Sequence, residues 1–185
     1  MMNLRTVEHI LRAAGDATKQ RDFVLIGSAA IFVWRTTVPR TMSMSREADI
    51  YADVADPDEA ERIADELDAI LGQASRFDET HGYYCDGVGP ETAIFPGGWR
   101  ERAMLFTSAN TNGVTALVPQ PEDIAAAKLC AGRDKDMAWL VAATESRIID
   151  LDIVEDRLDL IPPERGVDSD ILAGRLLTVR SRAGE

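Results

Sequence analysis

The sequence predicts an α/β (α+β) fold: a small β-sheet flanked by helices, with a helical C-terminal part. Three observations lead there. Apolar residues recur at helical spacing near the N-terminus and through most of the chain after residue 119. Short apolar runs bounded by Gly and Pro lie between these stretches and read as strands. The two patterns alternate early, as helix, strand, helix, strand, helix, and then several strands follow in succession, the order of a sheet with helices packed on it.

Each element has its own signal. Leu4, Val7, Ile10, Leu11 and Ala14 form one helical stripe, so the first helix ends near Lys19. "FVLI" (Phe23–Ile26) is a short buried strand, and "SAAIFVW" (Ser28–Trp34) follows as a helix with Ser28 at its N-cap. "TTVPRTMSMSRE" is loop and "ADIYADV" (Ala48–Val54) is a strand that can begin as early as Glu47. "DPDEAERIADELDAILG" is a helix with Asp56 as cap, Pro57 in the first turn and Gly72 as stop, and Ile63, Leu67, Ile70 and Leu71 form its buried stripe. "GYYCDGVG", "RAMLFTSA" and "GVTALVP" read as strands separated by turns. From "PEDIAAAKLCAG" onward the pattern is helical, with breaks near Gly132 and Pro162-Pro163. The expected organisation is one compact unit over residues 1–185, with an α/β core over 20–118 and the helical part over 119–185.

Composition narrows the function classes. The 185 residues are 45% hydrophobic and 28% charged, with a net charge of −12, which excludes broad contact with a nucleic-acid backbone. An acidic body suits a bound divalent cation or a basic protein partner. Cys85 and Cys130 give neither a disulfide framework nor zinc spacing and read as thiols in a reducing cytoplasm. The sequence has no apolar run long enough for a membrane span and no signal peptide, so a cytoplasmic location is expected. His9 and His81 are far apart with no partner spacing, and no Gly-x-Ser-x-Gly elbow supports a hydrolase triad.

The stretch from Phe23 to Tyr51 carries the chemistry. A strand that stops at Gly27-Ser28 and runs into a helix offers backbone N–H groups to phosphate, with no Cβ at Gly27 to block the approach and a hydroxyl on Ser28. Glu47 and Asp49, at i and i+2 of the next strand, point to one face. Two such carboxylates can hold Mg2+ or Mn2+ ions as hard-oxygen ligands.

The order strand, Gly-Ser, helix, loop, acid-x-acid strand resembles the nucleotidyltransferase superfamily related to DNA polymerase β, and more closely the bacterial nucleotidyltransferase-like proteins of the AbiEii toxin type. "GYYCDGVGPETAIFPGGWRER", "LVPQPEDIAAAKL" and "AGRDKDMAWLV" add to the likeness, which spans roughly residues 20–145. The resemblance implies a mixed sheet flanked by helices. It also implies that Gly27 and Ser28 contact phosphate, that Glu47 and Asp49 bind metal, and that a third acid joins them. Asp86 is the best-placed third acid and Glu91 its rival. Lys128 is implied to face the triphosphate or an RNA end, followed by the cluster Arg133, Lys135 and Asp136. The chain departs from the pattern in having Glu47 where Asp is commoner, and eighteen residues between Ser28 and Glu47.

The remaining residues have two readings each. Lys128 and Lys135, seven apart, would share a helix face as a cationic wall, or form a solvated face with Arg133 and Asp136 as an i, i+3 pair. Arg40 and Arg46 flank "TMSMS" and would bind a base or phosphate, or simply be solvated. Trp99 reads as a packing anchor, with a base-stacking platform as its second reading. The functional expectation is a metal-dependent nucleotidyltransferase that moves a nucleoside monophosphate from an NTP to an RNA end, tRNA included, or to a protein hydroxyl. It would be the toxin of a toxin–antitoxin or phage-defence pair with a cognate partner protein. The alternative is a degraded nucleotidyltransferase fold acting as interaction partner or antitoxin.

Overall fold

The computed structural model describes residues 1–165 and 167–184. Five strands form one sheet: β1 (Asp22–Ile26), β2 (Glu47–Ala52), β3 (Tyr84–Gly87), β4 (Met104–Phe106) and β5 (Thr115–Val118), in the order β3–β2–β1–β5–β4. β1 runs antiparallel to β2 and parallel to β5. β2 is parallel to β3, and β4 is antiparallel to β5, so the sheet is mixed.

Helix α1 (Leu4–Thr18) begins where the Asn3 side chain accepts from the Thr6 N–H, and buries Val7, Ile10, Leu11 and Ala14. The segment after β1 is a tight 3₁₀ turn over Ser28–Ala30 that continues as α2 (Ile31–Trp34). Helix α3 (Pro57–Leu71) has the expected Asp56 cap and Gly72 stop, and buries Ile63, Leu67 and Leu71. Ile70 does not belong to that buried stripe; it is 45% exposed. The helix leans on β3 through its Ala64 and Asp68 side instead. A Cβ on Gly87 would overlap the Ala64 carbonyl, and the Gly87 N–H donates to Asp68 Oδ1 at 2.6 Å. Ile70 lies at the edge of the buried arc opposite Asp68 and so stays in solvent. The sequence reading also had no counterpart for α4 (Arg76–His81), a six-residue helix between the Ser75 cap and left-handed Gly82.

After α5 (Trp99–Arg102), the C-terminal part is α6 (Pro121–Ala131), α7 (Asp134–Glu145), α8 (Leu151–Leu158) and α9 (Ser169–Ala183). Gly132, left-handed at φ 62°, ends α6. A further break at Ser146–Asp150, with Arg147 at φ 54°, was not legible from composition. Arg175 on α9 donates to the Leu129 and Cys130 carbonyls at 2.6 and 2.9 Å, so α9 closes the open C-terminal end of α6.

The sheet has two unequal sides. Phe23, Leu25, Ile50, Cys85 and Ala116 face the main core with α1 and α3. The alternate residues Val24, Ile26 and Tyr51 face a smaller cluster covered by Phe95, from the loop before α5, and Trp99, the first residue of α5. The Phe95 and Trp99 rings meet at a tilt of 32° with centroids 4.9 Å apart, so Trp99 anchors that cover. No helix among the described residues is long and apolar enough to cross a membrane.

Candidate active site

On the thinly covered side of the sheet the strand register gathers the acids. β2 starts at Glu47, and Glu47 and Asp49 pair with Tyr84 and Asp86 on parallel β3. All four side chains therefore lie on one face, as the i, i+2 spacing on each strand dictates. The third acid beside the pair is Asp86; Gly87 after it is a strand residue, not a turn. Glu91 lies elsewhere, paired with Arg165.

Gly27 sits against this group from β1. Its φ is 68°, and a Cβ there would overlap Asp49 Oδ2, so only glycine lets the backbone lie on the carboxylate. Asp49 is pushed up to about 6, first by burial and then by the charges of Glu47 and Asp86. Asp86 is raised too, by burial first and then by Glu47 and Asp68. Neither Asp49 nor Asp86 has a hydrogen-bond or ion-pair partner among the described residues. Glu47 is the engaged member: Tyr84 Oη donates to it at 3.2 Å and Lys135 Nζ lies 3.3 Å away. Burial, then Glu47 and Asp86, raise Tyr84 to about 12, so its hydroxyl remains a donor.

Among the described residues no three His, Cys, Asp or Glu groups are drawn together tightly enough to hold a metal as placed. The donor set nonetheless fits a hard divalent cation. It offers three carboxylates on one face, mutual repulsion that a cation would relieve, and a Glu47 whose held position is set by a phenol and an exposed lysine.

Lys128 faces this group from the last turn of α6. It is 8% exposed, donates to Asp136 Oδ1 at 2.8 Å, and stands 5.1 Å over the Trp139 ring. Burial lowers its pKa, and the bond to Asp136 opposes that. Burial works against the wholly enclosed Asp136 carboxylate, but hydrogen bonds from Arg133 and Lys128 hold it below the ordinary range. Arg133 Nε donates to Asp136 Oδ2 at 2.6 Å, so the i, i+3 pair is present. Lys128 and Lys135 do not share a helix face, because Gly132 divides α6 from α7; they meet across the cleft instead. Arg46 is bound to Asp78 and donates to the Gly82 carbonyl at 2.8 Å, contacts that tie α4 to the start of β2.

The cleft has two lobes. One, of about 450 Å³, is lined by Gly27, Asp49, Asp86 and Arg133, and the other, of about 530 Å³, by Met42, Met44, Tyr84 and Trp139. Ser28, Glu47, Lys128 and Lys135 line both. Sequence reasoning missed Tyr84 and the role of Asp136. Tyr84 was findable, since it precedes Asp86 by two residues on a strand. The bond from Asp136 to Lys128 depends on how the Gly132 turn folds α7 back, which no spacing rule supplies.

A family model described as a nucleotidyltransferase of unknown function (DUF6036) matches residues 2–164, and the chain belongs to that family. No curated protein and no solved structure matches it. Helix α9 lies beyond the matched residues.

Proposed function

We propose that this member of the nucleotidyltransferase family transfers a nucleoside monophosphate from a nucleoside triphosphate to an RNA end or a protein hydroxyl, with Mg2+ or Mn2+ at Glu47, Asp49 and Asp86. The observation that carries the reading is the contact of Gly27 backbone with Asp49: a bare peptide and a carboxylate without a bonded partner among the described residues, side by side in a cleft that Lys128 also lines. In this reading the Ser28 hydroxyl and the backbone after Gly27 bind phosphate. Lys128, held by Asp136 on the far side, neutralises charge on the transferring phosphate. Arg133 and Lys135 steer the triphosphate to the mouth. The acceptor oxygen attacks the α-phosphorus, the bond to the bridging oxygen breaks, and pyrophosphate leaves. A bound divalent cation would supply neutralisation of the phosphates and a lowered pKa at the acceptor hydroxyl.

The likeness of residues 82–102, 117–129 and 131–141 to AbiEii-type proteins supports the toxin half of a toxin–antitoxin or phage-defence pair. A second reading, an interaction partner with a degraded site, is favoured by one observation: Glu47 is already engaged by Tyr84 and Lys135.

The test is incubation of the chain with each α-labelled nucleoside triphosphate, Mg2+ and total bacterial RNA. Labelled RNA or labelled protein is expected, none with Asp49→Ala, and about 10²–10³-fold less with Lys128→Ala. No product from the wild type with any of the four favours the second reading. Equal product from Asp49→Ala removes the acid cluster from the mechanism.

A further inference from the structure

The second lobe of the cleft differs in chemistry from the first. Its walls are the thioethers of Met42 and Met44, the Tyr84 and Trp139 rings, and the methyl groups of Ala138 and Ala142. Met44, at 69% exposed, is a large apolar side chain without a place in the core. Helix α7 brings Lys135, Ala138 and Ala142 to the cleft at i, i+3 and i+7, so two of the smallest side chains stand where a longer one would fill the lobe. Trp139 is 6% exposed and its indole N–H has no acceptor among the described residues, so packing and the Lys128 ammonium position the ring. Gln73 adds an amide that can both donate and accept, while the Ser45 hydroxyl is taken up by the Glu47 backbone at 3.2 and 3.3 Å.

Charge sorts the two lobes. The cations Lys128 and Lys135 stand where the lobes join. Inside the second lobe, Arg46 is spent on Asp78 and the Gly82 carbonyl, and Glu47 on Tyr84 and Lys135. A phosphate therefore belongs at the junction and a flat, apolar-faced ring with hydrogen-bonding edges belongs inside.

We propose that the lobe walled by Met42, Met44, Tyr84, Ala138 and Trp139 is a nucleobase seat. This rests on the transferase reading above, which places phosphate at the junction. The ring is that of the triphosphate or that of the acceptor's terminal nucleotide; the seat's chemistry is the same for both.

Ala138 is exposed, so Ala138→Trp plugs the lobe without touching the core, and Met44→Ala removes an exposed wall. Both variants are checked for an unchanged melting temperature. Calorimetric affinities are then measured for α,β-methylene analogues of the four nucleoside triphosphates, for tripolyphosphate as a probe without a base, and for short single-stranded RNA oligonucleotides. If the donor's base occupies the seat, the wild type prefers the analogues to tripolyphosphate by about tenfold to a hundredfold, the size of a stacking contact. Ala138→Trp removes that margin, Met44→Ala reduces it, and tripolyphosphate binding stays unchanged. If the acceptor's base occupies it, Ala138→Trp leaves the analogues unchanged and weakens the RNA by a similar factor. Either result supports the seat. Unchanged affinity for both analogues and RNA overturns the seat while leaving the transferase reading intact. A wild type that binds neither analogues nor tripolyphosphate overturns both.

Discussion

Asp123 and Asp136 are wholly buried, and the chain itself supplies cations to each. Asp123 takes two bonds from Arg102, at 2.7 and 3.2 Å, with Arg157 Nε 3.4 Å away, and Asp136 takes Lys128 and Arg133. Asp49 and Asp86, by contrast, crowd one sheet face and are given no bonded partner among the described residues. Buried negative charge is normally neutralised within the protein. The first pair therefore reads as architecture: Asp123 clips the segment before β4 to α6 and α8, and Asp136 fixes Lys128. The second pair is only partly buried and faces the cleft that Lys128 and Lys135 also line.

The contrast can be broken from either side. Asp123→Ala deprives the part-buried Arg102 and Arg157 of their shared carboxylate and should lower stability by about 3–5 kcal/mol, measured by urea denaturation. A loss under about 1 kcal/mol would mean that the clip is a surface ion pair in effect.

Asp49→Asn should do the opposite. With its pKa raised from 3.8 to about 6, Asp49 binds a proton more tightly in the folded than in the unfolded chain. Stability therefore falls as pH rises from about 4 to 6, and the ionised group costs about 3 kcal/mol above that window. In chelator, the wild type should be more stable at pH 5 than at pH 7.5. Asp49→Asn should flatten the profile and exceed the wild type at pH 7.5. A profile unchanged by the substitution would place the destabilising charge elsewhere.

Gly27→Ala sharpens the same comparison with a smaller effect. Gly27, at φ 68° and ψ −157°, occupies a backbone region that glycine alone adopts readily; it costs a residue with a Cβ about 1–3 kcal/mol, and the overlap with Asp49 adds to that. In an Asp49→Ala background the overlap is gone, so the cost should fall to the backbone part alone. Equal costs in the two backgrounds would show that Gly27 and Asp49 do not press on one another.

The sequence disclosed what is local. The caps at Asp56 and Gly72, the stripe of α1, the strand that stops at Gly27 and the same-face acids at 47 and 49 all follow from spacing within a few residues. What it hid is non-local. The pairing of Asp49 with Asp86 depends on the register of two strands more than thirty residues apart. His9 and His81, unpaired in spacing, meet edge-to-face at 4.7 Å, and His9 Nδ1 lies 2.6 Å from Tyr83 Oη, because α1 and the short α4 pack together. Lys128 and Lys135 keep their seven-residue spacing but lose the shared face once Gly132 ends the helix between them. Asp123, legible only as a first-turn acid of α6, has partners 21 residues before it on α5 and 34 after it on α8.

The proposed function has a divalent cation at Glu47, Asp49 and Asp86. Titration of the full chain with Mn2+, followed by electron paramagnetic resonance, tests it most directly. Bound Mn2+ is expected in the wild type, its loss in Asp49→Asn, and full retention in Glu91→Gln, whose acid lies outside the cluster. Equal Mn2+ binding by the wild type and Asp49→Asn, or none by either, would contradict it.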